Sequence, residues 1–133
     1  MILVDSSVWI NYFNGKISPE TDWLDSALGK EPIIMGNLIL TEVLQGFRTE
    51  KDFTTAKKLL LHFPFMEMVG QELAIESALN YRRLRKKGVT VHKTIDVIIA
   101  TFCLHHRLAL LHADKDFDSM EKHLKLDIVK VQA

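Results

Sequence analysis

The chain has 133 residues, of which 47% are hydrophobic and 26% charged, with 17 Lys plus Arg set against 17 Asp plus Glu and a single cysteine. That length is one domain's worth of protein, apolar enough for a real core, and we read residues 1–133 as one unit. The zero net charge excludes a protein that coats nucleic acid by bulk charge, and the lone Cys103 excludes an internal disulfide and a cysteine-built zinc site.

Met1 to Val4 is a short apolar run cut off by Asp5, the pattern of a fully buried strand. Asp5-Ser6-Ser7 then offer N-cap groups to a helix running through Phe13 and closed by Gly15. Pro19 opens a second helix through Leu28, stopped by Gly29, and Pro32 to Gly36 reads as another short strand. An apolar helix follows from Asn37 through Phe47, an amphipathic segment spans Thr49 to His62, and Phe65 to Val69 reads as a third strand. Gln71 to Lys87 carries Leu73, Ala74, Ala78, Tyr81 and Leu84 at helical spacing, with Gly88 as its stop. Thr94 reads as the cap of a helix that is apolar nearly all round, from Ile95 to Leu104. Ala109 to His112 is the fourth strand, Phe117 to Leu124 a short helix, and Asp127 to Val131 a last strand.

Short buried strands alternating with helices predict an α/β fold, a central parallel sheet of four or five strands sandwiched between helices. The apolar stretches are far shorter than the ~18 residues of a membrane span. The start of the chain lacks a basic n-region, so a reducing, cytoplasmic setting with no membrane is expected.

Four carboxylates interrupt apolar segments: Asp5 ends the first strand, Glu42 lies inside Leu38–Leu44, Asp96 sits between Ile95 and Val97, and Asp114 follows the fourth strand. A carboxylate in low dielectric costs several kcal/mol unless it is protonated, paired, capping a helix or binding a cation. Taken singly, Asp5 reads as a helix cap, Asp114 as part of an Asx turn, Asp96 as an anion at a helix N-terminus, and Glu42 as a water-facing side chain. Taken together they point elsewhere, because ligand sites of parallel sheets lie outside the carboxyl ends of the strands. Three or four converging carboxylates without interleaved His or Cys make a hard oxygen site, suited to Mg²⁺ or Mn²⁺ and to hydrolysis at a phosphate. The sequence has no P-loop, no Gly-x-Gly-x-x-Gly after the first strand and no Gly-x-Ser-x-Gly elbow. Asp5-Ser6-Ser7 also lacks the second acid of a haloacid-dehalogenase-type phosphatase.

Ile2-Leu3-Val4-Asp5-Ser6-Ser7-Val8-Trp9-Ile10 resembles the opening of PIN-domain ribonucleases, most closely the VapC-type toxins of toxin–antitoxin pairs. Leu40-Thr41-Glu42-Val43-Leu44-Gln45-Gly46, Thr94-Ile95-Asp96-Val97-Ile98-Ile99-Ala100 and Leu110-Leu111-His112-Ala113-Asp114-Lys115-Asp116-Phe117 are similar to the later acidic segments of that family, in family order. The resemblance implies an endoribonuclease dependent on Mg²⁺ or Mn²⁺, cutting RNA (tRNA or rRNA) by metal-activated water. Asp5, Glu42, Asp96 and Asp114 would hold the metal, with Asp116 as an auxiliary acid. Ser7 would touch the metal's water or a substrate phosphate, and Thr94 would steady the start of the Asp96 helix. The resemblance also implies a VapB-like antitoxin and a homodimer. His112 departs from the family, which often has Thr or Ser there; it reads either as a group that donates to a phosphate or reaches a carboxylate, or as a strand-end packing group.

Arg82, Arg83, Arg85, Lys86, Lys87 and Lys93 concentrate positive charge before Asp96. They read as a solvated helix end, or as a phosphate-contacting rim in which Lys93 and Lys115 stand nearest the acids. The histidines are expected at the surface, Cys103 in the core, and Trp9, Tyr12, Phe13 and Trp23 mainly in the core. Two other functions fit the same acids: a phosphatase or nuclease outside any toxin pair, and a non-catalytic receiver-like domain, though the latter wants an acidic pair after the first strand.

Overall fold

In the computed structural model, which describes residues 1–132, three short apolar runs lie side by side at the centre. They are β1 (Ile2–Val4), β2 (Ile33–Gly36) and β4 (Ala109–Leu111), with the two-residue β3 (Phe65–Met66) outside β2. The strand order is β3-β2-β1-β4 and each pairing is parallel. β1 is central, with Leu3 opposite Ile34 on one side and Leu110 on the other. Leu3, Val4, Leu110 and Leu111 are essentially inaccessible to solvent, as expected of strands covered on both faces. The helices that flank the sheet are α1 (Ser6–Phe13), α2 (Pro19–Ala27), α3 (Asn37–Leu44), α4 (Glu50–Leu60), α5 (Gln71–Lys86), α6 (Thr94–His106) and α7 (Asp118–Leu124). A 3₁₀ turn over Lys115–Phe117 leads into α7.

Local chemistry sets the boundaries. Ser18 and Thr21 form a reciprocal capping box ahead of Pro19 at the start of α2, and Thr49 caps α4 by accepting from the Asp52 N–H. Gly88, at φ +78°, supplies the left-handed residue after α5. The same conformation falls on Arg107 (φ 56°) after α6 and on Lys125 (φ 60°) after α7. α6 has Val97, Ile99, Ala100, Phe102 and Cys103 buried, so the expected core placement of Cys103 holds.

Three sequence expectations are corrected. The third strand is shorter than Phe65–Val69, because Asn37 Oδ1 accepts the Met68 N–H at 3.0 Å and takes that backbone out of the ladder. The strand expected over Asp127–Val131 is reduced to one parallel bridge, Leu110 with Ile128, flanked by Leu110 N–H to Asp127 O and Val129 N–H to Leu110 O. Thr94 is not the cap of α6 but its exposed first residue. The cap position belongs to Lys93, whose side chain makes no capping bond. There the backbone does the work, with the Asp96 N–H donating to Lys93 O at 3.2 Å. Ala133, the end of the expected 1–133 unit, lies outside the described residues.

Candidate active site

The C-terminal ends of β1 and β4 adjoin, and the chain places an acid just beyond each. Asp5 follows β1 and donates its N–H to Leu111 O at 2.8 Å, which fixes it against the end of β4. Its carboxylate caps α1: Oδ2 accepts from the Ser7 N–H at 3.0 Å and from Ser7 Oγ at 2.6 Å. Ser7 Oγ in turn accepts the Ala113 N–H at 3.0 Å, so one hydroxyl joins the loop after β1 to the loop after β4. Asp114 caps the 3₁₀ turn, its Oδ1 accepting the Asp116 N–H at 2.9 Å. The cap reading of Asp5 and the Asx-turn reading of Asp114 are therefore correct, and they coexist with convergence.

Asp96 enters from the first turn of α6 and Glu42 from α3. One carboxylate oxygen from each of Asp96, Asp114 and Asp116 lies within 4.8 Å of the others. Burial pushes the Asp96 carboxyl up to about 6; Lys93 relieves this in part, and the charges of Asp5, Asp114 and Glu42 add to it. Burial likewise raises Asp5, against the two bonds from Ser7, and Asp114 contributes to the push. Glu42 is raised by burial too, eased by its bond from Ser6 and raised further by Asp5. The oxygens of Asp96, Asp114 and Asp116 thus converge, and Asp5 and Glu42 stand near enough for their charges to act on the same group. Asp5 and Asp96 are each 4% exposed, and the buried oxygens Asp5 Oδ1 and Asp96 Oδ2 have no hydrogen-bond partner. Two buried carboxylate oxygens that accept no hydrogen bond, beside further oxygen donors with no sulfur, fit a hard divalent cation.

Among the flanking residues, Lys93 Nζ lies 3.5 Å from Asp114 Oδ2 and 3.7 Å from Asp96 Oδ2. His112 turns inward: Nδ1 accepts the Asp114 N–H at 3.2 Å and the ring packs on Phe117 at 5.1 Å. Lys115 is exposed and Thr94 lies on the rim; neither side chain has a hydrogen bond or ion pair to the acids among the described residues.

Two site residues went unread in the sequence. Ser6 Oγ donates to Glu42 Oε1 at 3.0 Å, tying α1 to α3, and His92 Nδ1 lies 3.3 Å from Asp116 Oδ1. Ser6 looked like one more cap residue beside Asp5, and His92 like one of several scattered histidines. The only available signal for His92 was its place four residues ahead of Asp96.

The PIN domain family profile matches residues 2–123. Ribonuclease VapC11 of Mycobacterium tuberculosis is 31% identical over 121 residues, which is 89% of this chain and 90% of the relative. Among solved structures, that of VapBC2 from Rickettsia felis, bound to a DNA fragment from its promoter, superposes with a TM-score of 0.78 at 14% identity, covering 99% of this chain and 100% of that one. Mycobacterium tuberculosis VapC20, described as a sarcin-ricin loop cleaving toxin, superposes with a TM-score of 0.67 at 14% identity, covering 90% of this chain and 94% of that one. No helix among the described residues is long and apolar enough to cross a membrane.

Proposed function

Because the chain belongs to the PIN domain family, and within it to the VapC-type ribonucleases, we propose that it is the toxin of a toxin–antitoxin pair and cuts RNA phosphodiester bonds with the help of Mg²⁺ or Mn²⁺. The observation that carries the metal dependence is the pair of buried oxygens that accept no hydrogen bond, Asp5 Oδ1 and Asp96 Oδ2, beside Asp114 and Asp116. Asp5, Asp96 and Asp114 would hold the cation, with Glu42 and Asp116 completing the donor set. When bound, such an ion neutralises charge developing on a phosphodiester and lowers the pKa of a coordinated water.

The protein's own contribution is preorganisation. Ser7 locks the Asp5 carboxylate toward the β4 loop through its 2.6 Å bond, and Ser6 aims Glu42 through a 3.0 Å bond. The half-exposed Lys93 ammonium stands where it meets a phosphate that approaches the acids. Asp116 is within reach of His92, a pair suited to orienting a water or accepting its proton. That the VapC20 relative is described as cleaving the sarcin-ricin loop favours a structured RNA, tRNA or rRNA, over a mononucleotide. The VapBC complex among the neighbours favours an antitoxin partner. The receiver-like alternative is set aside by family membership.

The test is to sequence RNA ends after brief expression of the wild type and of Asp96→Asn, with parallel cleavage of purified RNA with and without EDTA. The expected result is discrete new ends from the wild type alone and no cleavage in EDTA. Cleavage that survives chelation would overturn the metal dependence, and unchanged cleavage by a folded Asp96→Asn would overturn the assignment of the site.

A further inference from the structure

We propose that Lys93 is a built-in counter-ion of the acidic cluster, an ammonium that competes with the divalent cation for Asp96 and Asp114 and is displaced when the cation enters. The inference rests on the metal-site reading above and concerns how that site is filled.

The geometry is that of a tethered, displaceable cation. Lys93 Nζ lies 3.5 Å from Asp114 Oδ2 and 3.7 Å from Asp96 Oδ2, so it bridges two of the three carboxylates whose oxygens converge. At 3.7 Å the contact with Asp96 is an ion pair without a hydrogen bond, and Asp96 Oδ2 remains buried without a hydrogen-bond partner. The ammonium thus compensates the cluster's charge but leaves its ligand atom unsatisfied. The two ends of the pair also differ in freedom. The Asp96 side chain is 5% exposed and held in the first turn of α6, whereas the Lys93 side chain is 53% exposed. The Lys93 backbone is fixed, its carbonyl accepting the Asp96 N–H at 3.2 Å, but the four-carbon stem above it is free to swing. A lysine ammonium is a cation throughout the neutral range.

A tethered positive charge about 4 Å from the ligand atoms repels an incoming divalent ion and must swing aside, which weakens binding by about tenfold relative to a site without it. Once displaced, the ammonium remains on its tether beside the site, within reach of an RNA phosphate. Lys93 thereby links metal entry to substrate charge and keeps the empty pocket electrostatically filled.

Mn²⁺ titrations of the full chain without RNA, followed by electron paramagnetic resonance of the free ion, test this with wild type, Lys93→Met, Lys93→Arg and Asp96→Asn. The expected result is about tenfold tighter Mn²⁺ binding by Lys93→Met, near-wild-type binding by Lys93→Arg, and loss of binding by Asp96→Asn. Wild-type binding with no gain in Lys93→Met overturns the counter-ion role alone, as does an equal gain in Lys93→Arg. Failure of every protein to bind Mn²⁺ overturns the metal-site reading and this proposal with it.

Discussion

Ser7 and Asp5 share a 2.6 Å hydrogen bond in which the serine hydroxyl donates to Oδ2, leaving Oδ1 buried and free. The same hydroxyl accepts the Ala113 N–H, so its loss loosens Asp5 and the β4 loop together. Ser7→Ala is expected to lower cleavage by about 10- to 100-fold, the range seen when groups that orient metal ligands are removed. Ser7→Thr, which keeps the hydroxyl, should retain most activity. Initial rates across a Mn²⁺ series check this, and a Ser7→Ala enzyme as fast as wild type at every concentration would contradict it.

Asp96 gives the metal-free protein a pH-dependent stability of definite sign. Burial, despite Lys93, pushes its folded-state carboxyl up to about 6 from the ordinary aspartate value of 3.8. Between those values the native state holds the proton more tightly than the unfolded chain does. The stability linked to this proton is complete below the unfolded value and is lost as pH rises through about 6. Asp96→Asn, which carries no charge at any pH, should therefore stabilise the metal-free protein near neutrality by about 1–3 kcal/mol. The advantage should shrink toward zero at about pH 4. Thermal melts in EDTA across that range measure it, and a variant less stable than wild type at neutral pH would refute it.

Asn37 spends one oxygen on two donors, accepting the Leu38 N–H and the Met68 N–H at 3.0 Å each. Asn37→Ala strands both groups and is expected to cost about 1–3 kcal/mol. Asn37→Asp keeps the acceptor and should lose less. Urea unfolding of the two variants separates them, and equal losses would show that the acceptor is not what matters.

Arg107 closes α6 at φ 56°, in the left-handed region where a side chain costs roughly 1 kcal/mol. Arg107→Gly relieves that strain and is expected to raise stability by up to about 1 kcal/mol without altering cleavage, since the residue lies at the far end of α6 from Asp96. A fall in the unfolding midpoint would mean that the arginine side chain contributes more than its backbone costs.

The strands and most helices were legible because their signals are local: apolar runs bounded by Asp5, Pro32 and Asp114, and helices punctuated by Gly15, Gly29 and Gly88. The acids were legible because a charge inside an apolar run contradicts its surroundings. What escaped was long-range pairing. The truncation of β3 depends on Asn37 reaching Met68 across 31 positions, and Ser6 finds Glu42 across 36. No window of neighbouring residues encodes either bond. His92 and Asp116 meet only because β4 brings the chain back beside the start of α6.

The bridge between Leu110 and Ile128 bears on solubility as well as on shape. β4 is the last strand on its side of the sheet, and the segment after α7 covers its outer backbone through one parallel bridge made of two hydrogen bonds. Without that cover, the N–H and C=O of Leu110, in the middle of β4, would stand open to a strand of another molecule. Shortening the chain before Asp127 would therefore show itself first as aggregation, with the acids still in place but the protein no longer monodisperse.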